Sequence, residues 1–281
     1  MLADPYDAIL IDLDGVLYRW PDAIPGAAAA VTALRGAGKH LAFVTNNSSR
    51  TPGHVVERLR SVGVDATPEE VVTSALATAT ILAERHVRSA FVVGEEGLLG
   101  ALAGVGIRAV SPSDPVPDAV VVGFDRGADY VKLKDAAVLV ERGVPLVASN
   151  ADPSFPAAGG ESWPGAGALL AAIETTTGVR AEVFGKPEPA LFQRALASAG
   201  GERPLVVGDR LDTDIAGAGR LGWDSVLALT GAARRADVDR ASWKPTFIVD
   251  DVGGLLQEPA HEGGGILPEE VPNHTGGFAP W

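Results

Sequence analysis

The sequence predicts an α/β fold built on a parallel sheet. Three observations carry this: short apolar runs recur along the chain, Ala-rich stretches with helical spacing separate them, and acidic or small polar residues directly follow several of the runs. Runs that are apolar throughout suit strands buried on both faces, as a parallel sheet covered by helices requires. Their regular alternation with helical stretches selects α/β over the classes in which strands and helices segregate.

Taken in order, the strand candidates are residues 8–11, 41–44, 91–93, 119–122, 146–148, 205–207, 226–229 and 247–249. Between them, residues 27–35, 52–62, 74–85, 130–142, 165–176 and 189–199 read as helices. Pro52 and Pro189 suit first helical positions, and Gly36, Gly63, Gly143 and Gly200 stand where helices end. No repeat of fixed period is present. From residue 258 the text turns to Pro, Gly, His and Glu and loses periodicity, which reads as a mobile tail over 258–281.

With 281 residues, 46% of them hydrophobic, the chain can bury a substantial core in one large domain or two moderate ones. No run reaches the roughly eighteen apolar residues that span a bilayer, and residues 1–7 lack the features of a signal segment. The expectation is a soluble cytoplasmic protein with no membrane partner. A formal charge of −13 opposes nucleic-acid backbones, and no basic groove is visible, so no nucleic-acid partner is expected. The absence of cysteine removes disulfides, thiolate metal sites and cysteine nucleophiles. The five histidines show no metal-binding pairing, so any metal must sit on oxygen ligands, which favours a hard cation such as Mg²⁺.

The chemistry concentrates at the ends of the apolar runs. The first delivers Asp12 and Asp14, two carboxylates on one side of a strand end, where open α/β sheets bind ligands. Like charges buried there need a cation or a proton between them; the alternative is a helix-capping or turn-forming Asp pair. The second run ends in Thr45, Asn46, Asn47 and Ser48, able to grip a phosphate at a helix start or merely to cap the helix. Another run ends in Gly208, Asp209, Arg210, Leu211, Asp212, Thr213 and Asp214, adding acids to the same edge. Lys186, one of only five lysines in a chain rich in arginine, offers a compact charge beside carboxylates and phosphate; a surface lysine before a proline turn is the bland alternative.

Taken in chain order, with Lys186 third and Gly208 to Asp214 fourth, these four segments resemble the four motifs of the haloacid dehalogenase superfamily phosphatases. The stretch from 79 to 179, with Gly-Phe-Asp-Arg at 123–126 and Ser-Asn-Ala-Asp at 149–152, resembles the C2 cap of the subgroup that includes NagD-like and p-nitrophenyl phosphatases and the pyridoxal phosphate and glycerol phosphate phosphatases. The resemblance covers residues 5 to 257. It implies a Rossmann-like parallel sheet core, with core segments at 1–78 and 180–257, an inserted α/β C2 cap domain at 79–179, and the 258–281 tail outside the match.

By the same resemblance, Asp12 is the nucleophile that takes the phosphoryl group and Asp14 the general acid and base. Thr45, Asn46, Asn47 and Lys186 bind the phosphate. Mg²⁺ is held by Asp12, the Asp14 main-chain carbonyl and Asp209, with Asp214 supporting from behind. Asp125, Asn150 and Asp152 lie at cap strand ends and are candidate substrate contacts, though turn formation explains them as well. Asp212 has no assigned role.

The implied function is Mg²⁺-dependent hydrolysis of small phosphate monoesters through an aspartyl phosphate, with glycerol 3-phosphate or a similar polyol or sugar phosphate as best substrate. A broad p-nitrophenyl, nucleotide or pyridoxal phosphatase, a phosphotransferase and a catalytically silent binding module stay open, as does a homodimer. Carbon-centred dehalogenation fits less well, since it has no use for Asp14. The string Gly217-Ala218-Gly219-Arg220-Leu221-Gly222 spells a dinucleotide fingerprint but precedes a strand where that fingerprint follows one, so it reads as small-residue helix packing.

Overall fold

In the computed structural model, residues 1–112, 115–156 and 161–258 are described, so the expected tail lies, from 259 onward, outside the described residues. Six parallel strands form the larger sheet, in the order Phe247–Val249, Asp224–Ala228, Pro204–Gly208, Ala8–Asp12, His40–Thr45, Val71–Thr73. Because side chains alternate along a strand, the first strand sends Ile9 and Ile11 to one face and Leu10 to the other. Ile9 and Ile11 pack with Phe43, Val207 and the helix residues Val31, Leu34, Val56 and Leu59. Leu10 packs with Val44, Val206, Leu191, Phe192 and Ala195. Both faces are therefore covered, as the unbroken apolar text requires.

A second parallel sheet of five strands runs Glu182–Val183, Leu146–Ala148, Ala119–Val122, Ser89–Val93, Arg108–Ala109. It lies between two sets of helices: Ser74–Glu84 and Glu96–Gly104 on one face, Tyr130–Glu141 and Ala166–Thr177 on the other. Its strands span residues 89–183, so Glu182–Val183 pairs beyond position 179. Among the described residues no helix is long and apolar enough to cross a membrane.

All eight strand candidates and all six helix candidates appear, most within a residue or two of their expected limits. Elements not foreseen are short or glycine-rich, and include the edge strands Val71–Thr73, Arg108–Ala109 and Glu182–Val183, the helices Glu96–Gly104 and Arg235–Val238, and the hairpins Tyr18–Arg19 with Asp22–Ala23 and Ser154–Pro156 with Ser162–Pro164. The dinucleotide-like string lies in the helix Ala216–Leu221 and its cap, where Gly217 lets Phe192 approach and Gly219 lets Trp243 approach, as the packing reading expects.

What positions the site is strand order. The strand Ala8–Asp12 sits mid-sheet, and the chain leaves it for His40–Thr45 on one side and returns to Pro204–Gly208 on the other. At that switch the flanking connections diverge and open a crevice at the carboxyl ends of the strands.

Candidate active site

Three strand ends meet at this crevice. Asp12 is the last residue of the central strand, Thr45 the last of its neighbour, and Asp209 directly follows Gly208 on the other side. Oxygen atoms of Asp12, Asp209 and Asp214 lie within 4.8 Å of one another. Asp214 comes from the wide turn Leu211–Ile215, which opens the following helix.

Lys186 reaches this group from the turn before the helix Pro189–Ala199. Its ammonium donates to Asp12 Oδ1 at 2.5 Å, Asp214 Oδ1 at 2.7 Å and the Val44 carbonyl at 2.9 Å, using all three protons. Its side chain is only 3% exposed. Burial alone would lower the pKa of Lys186, but the charges of Asp12 and Asp214 outweigh it and push it up, so the amine stays charged. Desolvation dominates at Asp12 and raises its carboxyl well above the usual range; Asp214 and Asp209 add to the rise and Lys186 opposes it.

Asp209 is held differently. Its Oδ2 accepts from Ala232 N at 2.6 Å, while Oδ1 is buried with no hydrogen-bond partner. Burial, reinforced by Asp214, raises its pKa to about 6. A Cβ on Gly231 would stand 1.9 Å from Asp209 Oδ2, and one on Gly15 2.5 Å from it, so both glycines are required by the close approach. An orphaned buried carboxylate oxygen, facing two further carboxylates, is costly by itself and fits a hard divalent cation with oxygen ligands. Both Asp214 oxygens are engaged, Oδ1 by Lys186 and Oδ2 by Arg210 N at 3.2 Å and the Thr213 hydroxyl at 3.4 Å. Asp214 therefore anchors Lys186 and the turn, while Asp209 offers the free oxygen.

Asp14 stands outside the carboxylate trio, at the exposed mouth of the crevice. Partial desolvation by the surrounding protein raises its pKa, against the pull of Arg58, the Tyr18 hydroxyl and Lys186. A carboxyl that is reachable by solvent yet inclined to keep its proton suits proton transfer at that mouth.

The turn after Thr45 is tightly tied. Asn47 N donates to Thr45 Oγ1 at 3.1 Å, and Asn47 Oδ1 accepts from Ser49 N and Oγ. The Asn46 side chain does more than the sequence suggested: its Oδ1 accepts from Lys186 N at 2.8 Å, and its Nδ2 donates to Lys186 O at 3.2 Å and Asp152 Oδ2 at 3.0 Å. It thus fixes the backbone that carries Lys186 and links it to the second sheet's loops.

The three cap candidates diverge. Asp152 reaches the site through Asn46, and desolvation raises its pKa. Asn150 lies behind the turn, donating to the Asn46 carbonyl at 2.8 Å. Asp125 is not brought to the crevice: it is buried, paired with Lys132 Nζ at 2.7 Å and accepting from Gly127 N, so its short side chain is consumed by a local turn and ion pair. Asp212, without a role in the sequence reading, pairs with Arg210 through two hydrogen bonds. Ser48, read in the sequence as part of the phosphate-gripping or capping turn, accepts from Phe124 N, and residues that sequence reasoning passed over include Ser74, which donates to the Asn46 carbonyl, and Ala232. Ala232 is a main-chain contact with no readable letter, and Ser74 reads in the sequence only as the first residue of a helix.

Comparisons with known proteins agree with this geometry. A family model described as haloacid dehalogenase-like hydrolase matches residues 9–108, and a second, HAD-hydrolase-like, matches residues 183–255. The acid sugar phosphatase of Staphylococcus epidermidis is 38% identical over 256 residues, covering 90% of this chain and 98% of that protein. The glycerol phosphate phosphatase of Mycobacterium tuberculosis, solved with magnesium, superposes with a TM-score of 0.86 at 39% identity, over 90% of this chain and 77% of that one. NagD from Escherichia coli K-12 gives a TM-score of 0.82 at 32% identity, over 88% and 97% of the two chains. With both motif-bearing segments matched and the fold shared over nine-tenths of its length, the chain belongs to the haloacid dehalogenase-like hydrolase family, in its phosphatase branch.

Proposed function

We propose that this protein is a Mg²⁺-dependent phosphatase that hydrolyses small phosphate monoesters through an aspartyl phosphate on Asp12, its substrates being polyol or sugar phosphates of which glycerol 3-phosphate is the simplest. The observation that carries the reading is the unpartnered, buried Asp209 Oδ1 facing Asp12 and Asp214, with Lys186 locked beside them. Relatives named acid sugar phosphatase and glycerol phosphate phosphatase support the substrate class.

Asp12, Asp209 and the main-chain carbonyl of Asp14 would hold Mg²⁺. When bound, the ion supplies positive charge against the phosphate's spreading negative charge. Asp12 attacks phosphorus through the carboxylate oxygen that Lys186 does not hold, forming a covalent ester and releasing the alcohol. Asp14, at the mouth, gives its proton to the departing alcohol oxygen and then takes one from the water that cleaves the Asp12 phosphate. Lys186 keeps the unused Asp12 oxygen in place and offsets charge on the transferring group, while the turn from Thr45 to Asn47 receives phosphoryl oxygens. Residues 79–179, read as a cap, exclude water from the crevice and reach it through Asp152.

A phosphate-release screen with and without EDTA tests this reading. Release should depend on the divalent ion, with kcat/KM higher for glycerol 3-phosphate and small sugar phosphates than for a nucleotide or pyridoxal phosphate. Release that survives EDTA overturns the metal assignment, and equal rates across the panel overturn the substrate class.

A further inference from the structure

A cavity of about 270 Å³ opens beside the crevice, lined by Asp14, Thr45, Asn47, Tyr18, Trp20 and Arg58 among others. Its place is mechanistically informative. Asp14 is the proposed proton donor to the leaving oxygen, so the alcohol part of the ester must lie on the Asp14 side, and this cavity shares that wall. The volume suits a compact alcohol.

The cations at this cavity are not equivalent. Arg50 is committed to Glu96 at 3.1 Å, and His54 Nδ1 lies 3.2 Å from the same carboxylate. Arg58, on the helix Pro52–Ser61, has no carboxylate within ion-pair distance among the described residues. Its guanidinium lies instead over the Trp20 ring, 4.3 Å from the centroid, with the Tyr18 ring at 5.8 Å. Stacking holds the guanidinium plane and the Tyr18 hydroxyl takes one of its N–H donors, which leaves the rest of a preorganised fork for an oxyanion. Among the described residues nine other arginines pair with carboxylates, Arg35, Arg85 and Arg220 among them, whereas Arg58, at the mouth of the site, is held by aromatic rings. Glu57 also lines the cavity, but it is exposed and forms no ion pair with Arg58.

We infer that Arg58, stacked on Trp20, recognises a second anionic group on the alcohol part of the substrate, so that the preferred polyol or sugar phosphates carry a carboxylate or a second phosphate. This rests on the phosphatase reading above and narrows it. Arg58 is a specificity residue that binds the alcohol part and takes no part in bond breaking.

Matched esters test it. Glycerol 3-phosphate and 3-phosphoglycerate differ only in a terminal CH₂OH against a carboxylate, and glycerol 1,3-bisphosphate supplies the phosphate arm. The readout is the ratio of kcat/KM for each anionic ester to that for glycerol 3-phosphate, in which any general effect of a substitution on Asp14 cancels. The ratio should exceed about ten for at least one anionic ester, and whichever does so identifies the group. Arg58→Gln should lower that ratio about ten- to a hundredfold, the loss of a charge-assisted hydrogen bond, mainly through KM, with Arg58→Lys intermediate. Trp20→Leu, which removes the stack and keeps the charge, should lower it less. A wild-type ratio near one, or a ratio untouched by Arg58→Gln in a protein that still releases phosphate from p-nitrophenyl phosphate, overturns this inference and leaves the phosphatase reading standing. No release from any ester overturns both.

Discussion

Replacing Lys186 with Met keeps most of the side chain's volume and removes one positive charge from the most enclosed part of the site. Three hydrogen bonds disappear, at 2.5, 2.7 and 2.9 Å, and Asp12 and Asp214 are left facing each other with side-chain exposures of 13% and 2%. Removing one partner of a buried pair costs about 3–5 kcal/mol, so in EDTA at pH 8 the variant should melt on the order of 10 °C below the wild type. The pH dependence is the sharper test. In the wild type, the raised pKa of Lys186 gives a stabilisation that is complete below the unfolded lysine pKa of about 10.4, and so constant between pH 5 and 8. In the variant, Asp12, already pushed up by burial, loses the charge that opposed the rise and takes a proton as the pH falls. The difference in Tm should therefore shrink from pH 8 to pH 5. Thermal melts of both proteins in EDTA across this range measure it. A difference that is negligible at pH 8, or that stays the same at pH 5, refutes the charge balance derived for this cluster.

Three further outcomes are expected. Gly231→Ala, whose Cβ would collide with Asp209 and disturb its 2.6 Å bond from Ala232 N, should weaken Mg²⁺ binding at least about tenfold by calorimetry, the cost of one charged hydrogen bond. Because Asp209 is raised to about 6, protons compete with the cation below that pH, so the Tm gained on adding Mg²⁺ should grow as pH rises from 5 to 7; a gain independent of pH would remove Asp209 from the ligand set. Asp125→Asn should lower stability by roughly 1–2 kcal/mol through loss of its pairing with Lys132, with kcat/KM within threefold of wild type in steady-state assays.

Much of the fold was legible because the buried strands are apolar throughout and each ends abruptly in polar text. Ile9 to Ile11 followed by Asp12, and Leu205 to Val207 followed by Gly208 and Asp209, mark both a strand and its functional end. The edge strand Val71–Thr73 escaped because three residues beside Pro68, Glu69 and Glu70 carry too little pattern. The helix Glu96–Gly104 escaped because three glycines weaken any helical reading; Gly97 is there because backbone atoms of Ser48 and Arg50 lie 2.5–2.6 Å from where its Cβ would be.

In the site, the convergence of Asp12, Asp209, Asp214 and Lys186 follows from strand ends sharing one sheet edge, which letters can reveal. Hydrogen-bond partners within that edge depend on side-chain angles, which they cannot. Thus Lys186 bonds to Asp214 as well as Asp12, Asn46 turns its amide toward Lys186, and Asp125 is spent on Lys132 although Asp152, from a comparable loop, reaches the crevice.

The central claim is that Asp12 carries the phosphoryl group in a site completed by a divalent ion. Rapid acid quench during turnover of a ³²P-labelled ester, followed by borohydride reduction and peptide mass spectrometry, tests it directly. The account predicts transient label on Asp12 with Mg²⁺, conversion of that residue to homoserine on reduction, and neither label nor turnover in Asp12→Asn or in EDTA. Full phosphate release with no label at Asp12, or turnover by Asp12→Asn, would contradict it.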